Sequence, residues 1–207
     1  MQPNDLLALI VAAAVALVAV SSAPPSSPAV DLDNLPTFSD VPPPYRVGPS
    51  MELPPKLREQ NWGSGSCVHA STVMLLRWQG LYELADKWRK TYEGGEYSSR
   101  LIQRMEAAGL KYAYTLDGDV KFLEWCIQTR RGAGIFYKPS HAINLVGLDQ
   151  NYAYLLDNND PGRPERTGSY ERVPREEFIR AWRGFGGFAW TPVYYPPPLN
   201  PKTDGET

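Results

Sequence analysis

A cysteine lies where a turn rich in glycine and serine meets an apolar helix. The turn spans residues 60–66, Cys67 follows it, and the periodicity of residues 68–79 predicts the helix. The first amides of a helix lack intrahelical partners and its dipole is positive at that end, so both stabilise a nearby anion. A thiol there can have its pKa lowered from about 8.5 to between about 3.5 and 7.5, the range of reactive thiolates. Cys67 is therefore a candidate nucleophile.

The alternative is that Cys67 is a packing residue, because free cysteine is among the most buried residue types. Gly63, Gly65 and Ser66 favour the nucleophile. A helix that only fills a core does not need so much backbone freedom before its first turn, whereas a nucleophile held at a tight, exposed turn does.

A histidine and an aspartate mark the two ends of a predicted hairpin. His141 opens the strand 141–148, and Asp157 follows the strand 152–156 after a short polar turn. Antiparallel pairing would bring both side chains to the same end of the sheet, as a base and its orienting carboxylate. Asx residues around Asp157 are also ordinary turn chemistry, so a plain turn stays an alternative. The other histidine, His69, is a weaker base because it points about 200° away from the cysteine around the helix.

Between residues 57 and 195 the spacing of apolar residues changes from a helical pattern to a mainly strand-like one. Helices are predicted first, over residues 67–79, 81–92 and 99–108. After them, strands are predicted over residues 110–116, 134–137, 141–148, 152–156, 168–173 and 188–195, with helices at 120–129 and 174–182. The pattern indicates one α+β domain with a mainly helical first half.

Composition limits the class of protein. With 207 residues, 43% apolar residues and a net charge of -2, the chain can form one domain and shows no basic excess, so nucleic acid is not an expected partner. The two cysteines offer no disulfide framework, and Cys126 in an apolar helical pattern is predicted to be a buried structural thiol. No metal and no other cofactor is expected, because two histidines and two cysteines far apart have no recognisable ligand spacing.

The two ends of the chain differ in composition from its centre. Residues 1–23 contain an almost unbroken apolar run followed by small residues, which indicates a signal peptide or an N-terminal membrane anchor. Membrane attachment would use residues 6–23. Residues 24–56 are a proline-rich linker, and the proline-rich, polar residues 196–207 are predicted to be a disordered tail. The domain is thus expected to be exported: periplasmic, extracellular or on the cell surface, with or without an anchor.

The order of these motifs resembles that of the papain-like cysteine peptidases. Gln60 upstream of the cysteine is similar to the oxyanion glutamine of that superfamily, and residues 141–148 are similar to its His-Ala start followed by an apolar run and glycine. Within the superfamily the sequence most resembles the bacterial C39-like peptidases, which also have an aspartate near an Asp-Pro turn and a later Phe-x-x-x-Trp helix, here residues 178–182. The resemblance covers about residues 60–190. It implies a papain-like fold, with the N-terminal helical half packed on an antiparallel β-sheet half.

The resemblance also implies a mechanism. The Cys67 thiolate would attack a carbonyl carbon, His141 would move the proton, and Asp157 would fix the imidazole tautomer. Asn158 is the alternative third member of the triad. Gln60 and the amide of Cys67 would donate hydrogen bonds to the oxyanion.

Two classes of function follow. The first is an exported or anchored thiol hydrolase that cleaves a peptide or isopeptide bond in a peptide or protein substrate. A cell-wall amidase or a transglutaminase-like acyltransferase would use the same triad. The second class is a catalytically silent papain-like module that binds a peptide or protein partner. An intact set of cysteine, histidine and aspartate favours the enzyme.

Overall fold

The computed structural model describes residues 51, 53–62, 65–159 and 170–194. The predicted signal or anchor segment, the linker up to residue 50 and the C-terminal tail lie outside this part of the chain, so the inferences about them remain predictions. Of the helices that the structure describes, none is both long enough and apolar enough to cross a bilayer.

Five α-helices and six β-strands make up the described residues. The helices of the first half are α1 (Cys67–Trp78), α2 (Tyr82–Thr91) and α3 (Ser98–Ala107), preceded by a short 3-10 helix (Pro55–Leu57). The elements of the second half are, in chain order, β1 (Tyr112–Thr115), α4 (Val120–Gln128), β2 (Ala133–Phe136), β3 (Ala142–Leu148), β4 (Tyr152–Leu156), β5 (Glu171–Pro174), α5 (Arg175–Gly184) and β6 (Ala189–Pro192). Each predicted element is present, with slightly shifted ends.

The start of α5 differs from the prediction. Pro174, expected as the first helical residue, is the last residue of β5 and the N-cap of α5, with an extended ψ of 134°. It lies opposite Tyr152 of β4. Because β5 is the edge strand of the sheet, the missing proline amide costs little there.

The strands form one sheet in the order β1-β6-β2-β3-β4-β5, and every neighbouring pair is antiparallel. The predicted hairpin is the pair β3 and β4, in which Asn144 lies opposite Leu156 and the register shifts between Leu145 and Gly147. The pairing places the residue before β3 and the residue after β4 at the same end of the sheet.

Apolar side chains cover both faces of the sheet. One core joins the sheet to α1, α2 and α3, and the other joins it to α4 and α5. Alternate residues of β3 supply them: Ala142 and Val146 belong to the first core, and Ile143 and Leu145 to the second. The predicted α+β class, with a helical half packed on an antiparallel sheet, is confirmed, and α4 and α5 cover the opposite face.

The packed part of the chain begins before residue 57, where the sequence places the boundary of the domain. Met51 and Leu53 are fully buried, and the amide of Met51 donates a hydrogen bond to the carbonyl of Val146 at 3.0 Å. Isolated apolar residues between prolines have no periodicity, so the pattern could not distinguish them from a spacer.

Candidate active site

The turn before α1 places Cys67, the candidate nucleophile, in a cavity. Gly65 has φ +89°, and a Cβ added to it would lie 2.6 Å from the main-chain nitrogen of Gly95, so only glycine fits. Ser66, the N-cap, does not cap the helix with its side chain; its hydroxyl donates instead to Oδ1 of Asn61 at 2.6 Å. Of the first amides of α1, that of Val68 acts on the thiol of Cys67, whereas that of His69 donates to the carbonyl of Ser66 at 3.1 Å.

A tight turn between β2 and β3 delivers the histidine. Lys138 and Ser140 have φ of +72° and +54°, a left-handed conformation that is uncommon outside glycine and costs on the order of 1–3 kcal/mol each. The turn is closed by the amide of Tyr137, which donates to the carbonyl of His141 at 2.9 Å. Such strained residues are found near functional sites, and here they place the histidine in the same cavity as the cysteine.

Three of the predicted site residues lie together. Nε2 of His141 donates to Oδ1 of Asp157 at 2.7 Å, and the imidazole also forms a hydrogen bond with the thiol of Cys67. The amide of Ala142 donates to Sγ of the cysteine at 3.3 Å, and the amide of Asn159 donates to Oδ1 of the aspartate at 2.9 Å. The order of contact is cysteine, histidine, carboxylate.

The surroundings of Cys67 favour the thiolate. Burial by itself would raise the pKa of this thiol, but the hydrogen bond with His141 and the one from the amide of Ala142 lower it, with help from the imidazolium charge and the amide of Val68. The pKa of Cys67 lies below its ordinary value as a result.

The pKa of the histidine is raised and the pKa of the aspartate is lowered, so each shift favours the charged form. The hydrogen bond with Asp157, then the one with Cys67, raises the pKa of His141 from 6.5 to about 9 against the effect of burial. For Asp157, burial would raise the pKa, but the histidine and the amide of Asn159 lower it to about 2. At neutral pH the site therefore favours an imidazolium and a carboxylate, and the thiolate of Cys67 is easier to form than that of an ordinary cysteine.

Asp157, rather than Asn158, is the side chain bonded to the histidine. Nδ2 of Asn158 donates to the carbonyls of Cys67 and Ala142, at 3.0 and 2.8 Å, and lies 3.0 Å from Oγ of Ser71. These contacts direct the asparagine into the interface between α1 and β3. This position could not be predicted, because an asparagine in a turn rich in Asx residues has no local sign of burial.

Gln60 lies apart from the other three predicted site residues. It is exposed, it does not line the cavity, and its carbonyl accepts a hydrogen bond from Arg89 at 3.3 Å. The neighbouring residue Asn61, which the sequence did not single out, bonds through its side chain to Ser66 and Asn159. The loop before the nucleophile is thus tied to the segment after β4.

The cavity has a volume of about 390 Å³ and runs between the helical half and the sheet half. The residues that line it are Gly65, Cys67, Val68, Gly95, Glu96, Tyr97, Phe136, Lys138, Ser140, His141, Ala142 and Phe185. Main chain of two glycines, apolar side chains and the reactive pair make up most of this surface. Cys67 and His141 are both part of this lining.

The second histidine and the second cysteine are buried elsewhere. His69 is fully buried between the rings of Trp88 and Tyr92, and burial lowers its pKa to about 4, so it is neutral at pH 7. Cys126 is fully buried in α4, where burial raises its pKa well above the ordinary value. Among the described residues, no group of three or more His, Cys, Asp or Glu side chains is placed to hold a metal ion.

Comparisons with known proteins support the fold. No protein-family model and no curated protein matches the sequence. A solved structure from Bacillus anthracis described as a C39-like peptidase is similar with a TM-score of 0.53 at 17% identity, over 72% of this chain and 98% of that chain. A double glycine motif protease from an AMS/PCAT transporter, solved in complex with the leader peptide, has a TM-score of 0.44 at 20% identity over the same shares.

The first of these similarities confirms, at the level of fold, the resemblance carried by the sequence motifs. It extends over nearly the whole of that chain, and its TM-score of 0.53 indicates a shared fold. The chain has a papain-like fold, similar to that of a C39-like peptidase.

Proposed function

We propose that this domain is a cysteine peptidase-like hydrolase that cleaves a peptide or isopeptide bond through Cys67, His141 and Asp157. The observation that carries the proposal is the arrangement of these side chains: His141 bonds to the carboxylate of Asp157 at 2.7 Å and shares the cavity with Cys67, whose Sγ accepts from the amide of Ala142 at 3.3 Å. These contacts lower the pKa of the thiol and raise the pKa of the imidazole to about 9. Such a pair supplies an anionic nucleophile and a proton donor at the same pH.

The acylation step uses this pair directly. Sγ of Cys67 attacks the carbonyl carbon of the scissile bond, and the π electrons of the carbonyl move to its oxygen. As the tetrahedral intermediate collapses, the C–N bond breaks, and the imidazolium of His141 gives its proton to the leaving amine. The products of this step are a thioester on Cys67, a free amine and a neutral imidazole.

Deacylation reverses the proton flow. The neutral imidazole of His141 takes a proton from water, the hydroxide equivalent attacks the thioester, and the C–S bond breaks to return the thiolate and imidazolium. The carboxylate of Asp157 holds Nε2 of the ring throughout, which leaves Nδ1 to serve the thiol. In both steps the amide of Cys67, at the positive end of α1, donates to the oxyanion.

The second oxyanion donor in the proposal is the side chain of Gln60. Because this side chain is exposed beside the site, it has to turn over the cavity when a substrate binds. Catalytic hydrogen bonds often form only in the complex with substrate, so the exposed position is compatible with the role.

We also place the hydrolase outside the cytoplasm. This part of the proposal rests on the apolar run in residues 6–20 and the proline-rich linker after it. Fusion of residues 1–56 to a reporter that is active only after export tests it: export of the reporter supports the placement, and retention in the cytoplasm contradicts it.

The proposed activity is tested by acyl transfer with p-nitrophenyl acetate and by proteolysis of unfolded β-casein. We expect a burst of one p-nitrophenolate per protein, abolished by Cys67→Ala and unchanged by Cys126→Ala, and casein fragments by mass spectrometry. A burst without casein fragments would restrict the proposal to the amidase or acyltransferase chemistry of the same triad. Absence of a burst in the wild type would instead support a silent binding module.

A further inference from the structure

We infer that Asn158 is a positioning residue that holds the nucleophile and the base at working distance from each other. The inference rests on the proposed function, because it assigns Asn158 a part in the same chemistry. It gives the residue a role different from that of a triad member: Asn158 acts through the main chain on both sides of the site.

The side-chain amide of Asn158 joins two elements. It is fully buried, and Nδ2 donates to the carbonyl of Cys67 in α1 and to the carbonyl of Ala142 in β3, at 3.0 and 2.8 Å. Main-chain carbonyls only accept hydrogen bonds, so these two partners fix which end of the amide faces them. One side chain therefore fastens the first residue of the nucleophile helix to the residue that follows His141.

The same two residues meet a second time at the reacting atom. The amide of Ala142 donates to Sγ of Cys67 at 3.3 Å. Two sets of hydrogen bonds thus join α1 to β3 at the same residues. One runs through the side chain of Asn158 to both carbonyls, and the other joins the amide of Ala142 to Sγ of Cys67. If the asparagine is removed, the distance between thiol and imidazole is no longer fixed from this side.

The main chain of Asn158 ties in the loop that precedes the nucleophile. Its carbonyl accepts a hydrogen bond from the amide of Asn61 at 2.9 Å, and Asn159 accepts one from the side chain of Asn61 at 2.8 Å. The three consecutive residues after β4 thus serve three parts of the site: Asp157 the histidine, Asn158 the cysteine and Asn159 the loop.

Stability alone is a poor reason for this asparagine. Oδ1 of Asn158 is buried and has no hydrogen-bond partner among the described residues, and an unsatisfied buried oxygen costs about 1–3 kcal/mol. Asn144 carries the same cost, so what sets Asn158 apart is its pair of carbonyl partners on the two sides of the site.

Asn144 provides a matched control. It is also fully buried in the interface of α1 and β3, its Nδ2 donates to the carbonyl of Ser71 at 3.1 Å, and its Oδ1 also has no partner in the described part of the chain. In the described part of the chain, the side chain of Asn144 makes no hydrogen bond to Cys67 or Ala142. Truncation of either asparagine removes a buried amide, but only Asn158 bridges the site.

The test measures the rate of alkylation of Cys67 by iodoacetamide against pH in the full chain. Alkylation follows the thiolate fraction, so a weakened thiolate–imidazolium pair slows it at acid pH. For Asn158→Ala we expect at least a tenfold slower reaction at pH 6 and rates close to wild type near pH 9.5. For Asn144→Ala we expect both rates within about twofold of wild type, although the midpoint of thermal unfolding falls in both variants.

The outcomes separate this inference from the proposed function. If the wild type reacts at pH 6 like an ordinary thiol, the proposed function fails. If the wild type is reactive but the two asparagine variants behave alike at pH 6, only the positioning role is overturned. Should Asn158→Ala not fold, Asn158→Ser keeps one donor for the two carbonyls, and it is expected to react at a rate between wild type and His141→Ala; a rate equal to wild type overturns the role.

Discussion

At the scale of single residues, the site depends on three side chains, each of which shifts the pKa of its neighbour. The pKa of His141 rises because Asp157 and Cys67 stabilise its protonated form, and the pKa of Cys67 falls although burial opposes this. Part of each shift comes from the charge of the partner, and the neutral amides that bond to the thiol and the carboxylate add to it. The three groups therefore titrate as a unit, and removal of one charge changes the reactivity of the others.

The carboxylate is predicted to control the acid limb of thiol reactivity. In Asp157→Asn the imidazolium loses its anionic partner, so the pKa of His141 falls and the thiolate of Cys67 is less stabilised below pH 8. We expect alkylation of the thiol at pH 6 to be about tenfold slower than in wild type, with equal rates at pH 9.5. Glu171→Gln is the control, because Glu171 contacts Lys138 and not the histidine.

The same rate at pH 6 in Asp157→Asn and wild type would mean that the carboxylate does not act on the pair. A loss of the same size in Glu171→Gln would mean that the general field of negative charge, and not the specific hydrogen bond at 2.7 Å, is responsible.

At the scale of elements, two short turns hold the cysteine and the histidine. The turn before α1 passes so close to the loop after α2 that Gly65 and Gly95 meet backbone to backbone. The turn before β3 holds Lys138 and Ser140 at positive φ. Both turns line the cavity, so their strain is located where the reactive side chains need a fixed direction.

Substitution of the first turn is predicted to uncouple the site. In Gly65→Ala the new Cβ would lie 2.6 Å from the nitrogen of Gly95 and would also sit at φ +89°, so the two loops must separate. Gly80→Ala, at the other end of the same helix, introduces comparable strain at φ +78° but meets no atom within 4 Å. We expect about 1 kcal/mol of destabilisation in the control, from left-handed strain alone, and more in Gly65→Ala.

Urea unfolding and alkylation at pH 6 check this prediction together. The rate for Cys67 should fall at least fivefold in Gly65→Ala and stay within about twofold of wild type in Gly80→Ala. Equal rates in all three proteins would show that the close approach of the loops does not orient the thiol.

Element patterns in the sequence were enough to predict much of this site. The helix start located Cys67, and the ends of two adjacent strands located His141 and Asp157, because secondary structure alone brings such positions together. Local patterns carry no information on tertiary contacts, so the buried amide of Asn158 was not predictable. The exposed position of Gln60, whose carbonyl accepts a hydrogen bond from Arg89 of α2, was not predictable for the same reason.

At the scale of the whole molecule, buried titratable groups make stability depend on pH. Burial, with the charges of Arg89 and Arg104, lowers the pKa of His69 from 6.5 to about 4. Between pH 6.5 and pH 4 the histidine is therefore protonated in the unfolded chain but not in the folded protein. Stability is lost as the pH falls from about 6.5 to about 4. Asp157, with its pKa lowered from 3.8 to about 2, stabilises the fold above pH 3.8 and loses this effect as the pH falls through about 2.

His141 makes the stability of the fold depend on pH above neutrality. Its pKa is raised from 6.5 to about 9, so its contribution is complete below pH 6.5 and is lost as the pH rises through about 9. The stability of the domain is therefore limited by one histidine on each side of neutral pH: by the buried His69 in acid and by the site histidine in base.

The stability of the domain at acid pH is predicted to increase when His69 is replaced by an aromatic residue that cannot titrate. In His69→Phe the ring still packs between Trp88 and Tyr92, and the unfolded chain no longer gains a proton at this position. Between pH 7 and pH 5 we expect wild type to lose about 2 kcal/mol of unfolding free energy more than the variant does. Urea unfolding at the two pH values measures this difference, and parallel losses in both proteins would contradict it.

The central claim is that Cys67 and His141 form a thiolate–imidazolium pair. The most direct measurement is the pH dependence of iodoacetamide alkylation at Cys67, read by mass spectrometry with Cys126 as internal control and with His141→Ala beside the wild type. We expect fast reaction of Cys67 well below pH 8, a loss of at least tenfold at pH 6 in His141→Ala, and an unreactive Cys126. Reaction of Cys67 as an ordinary thiol, with no effect of His141→Ala, would contradict it.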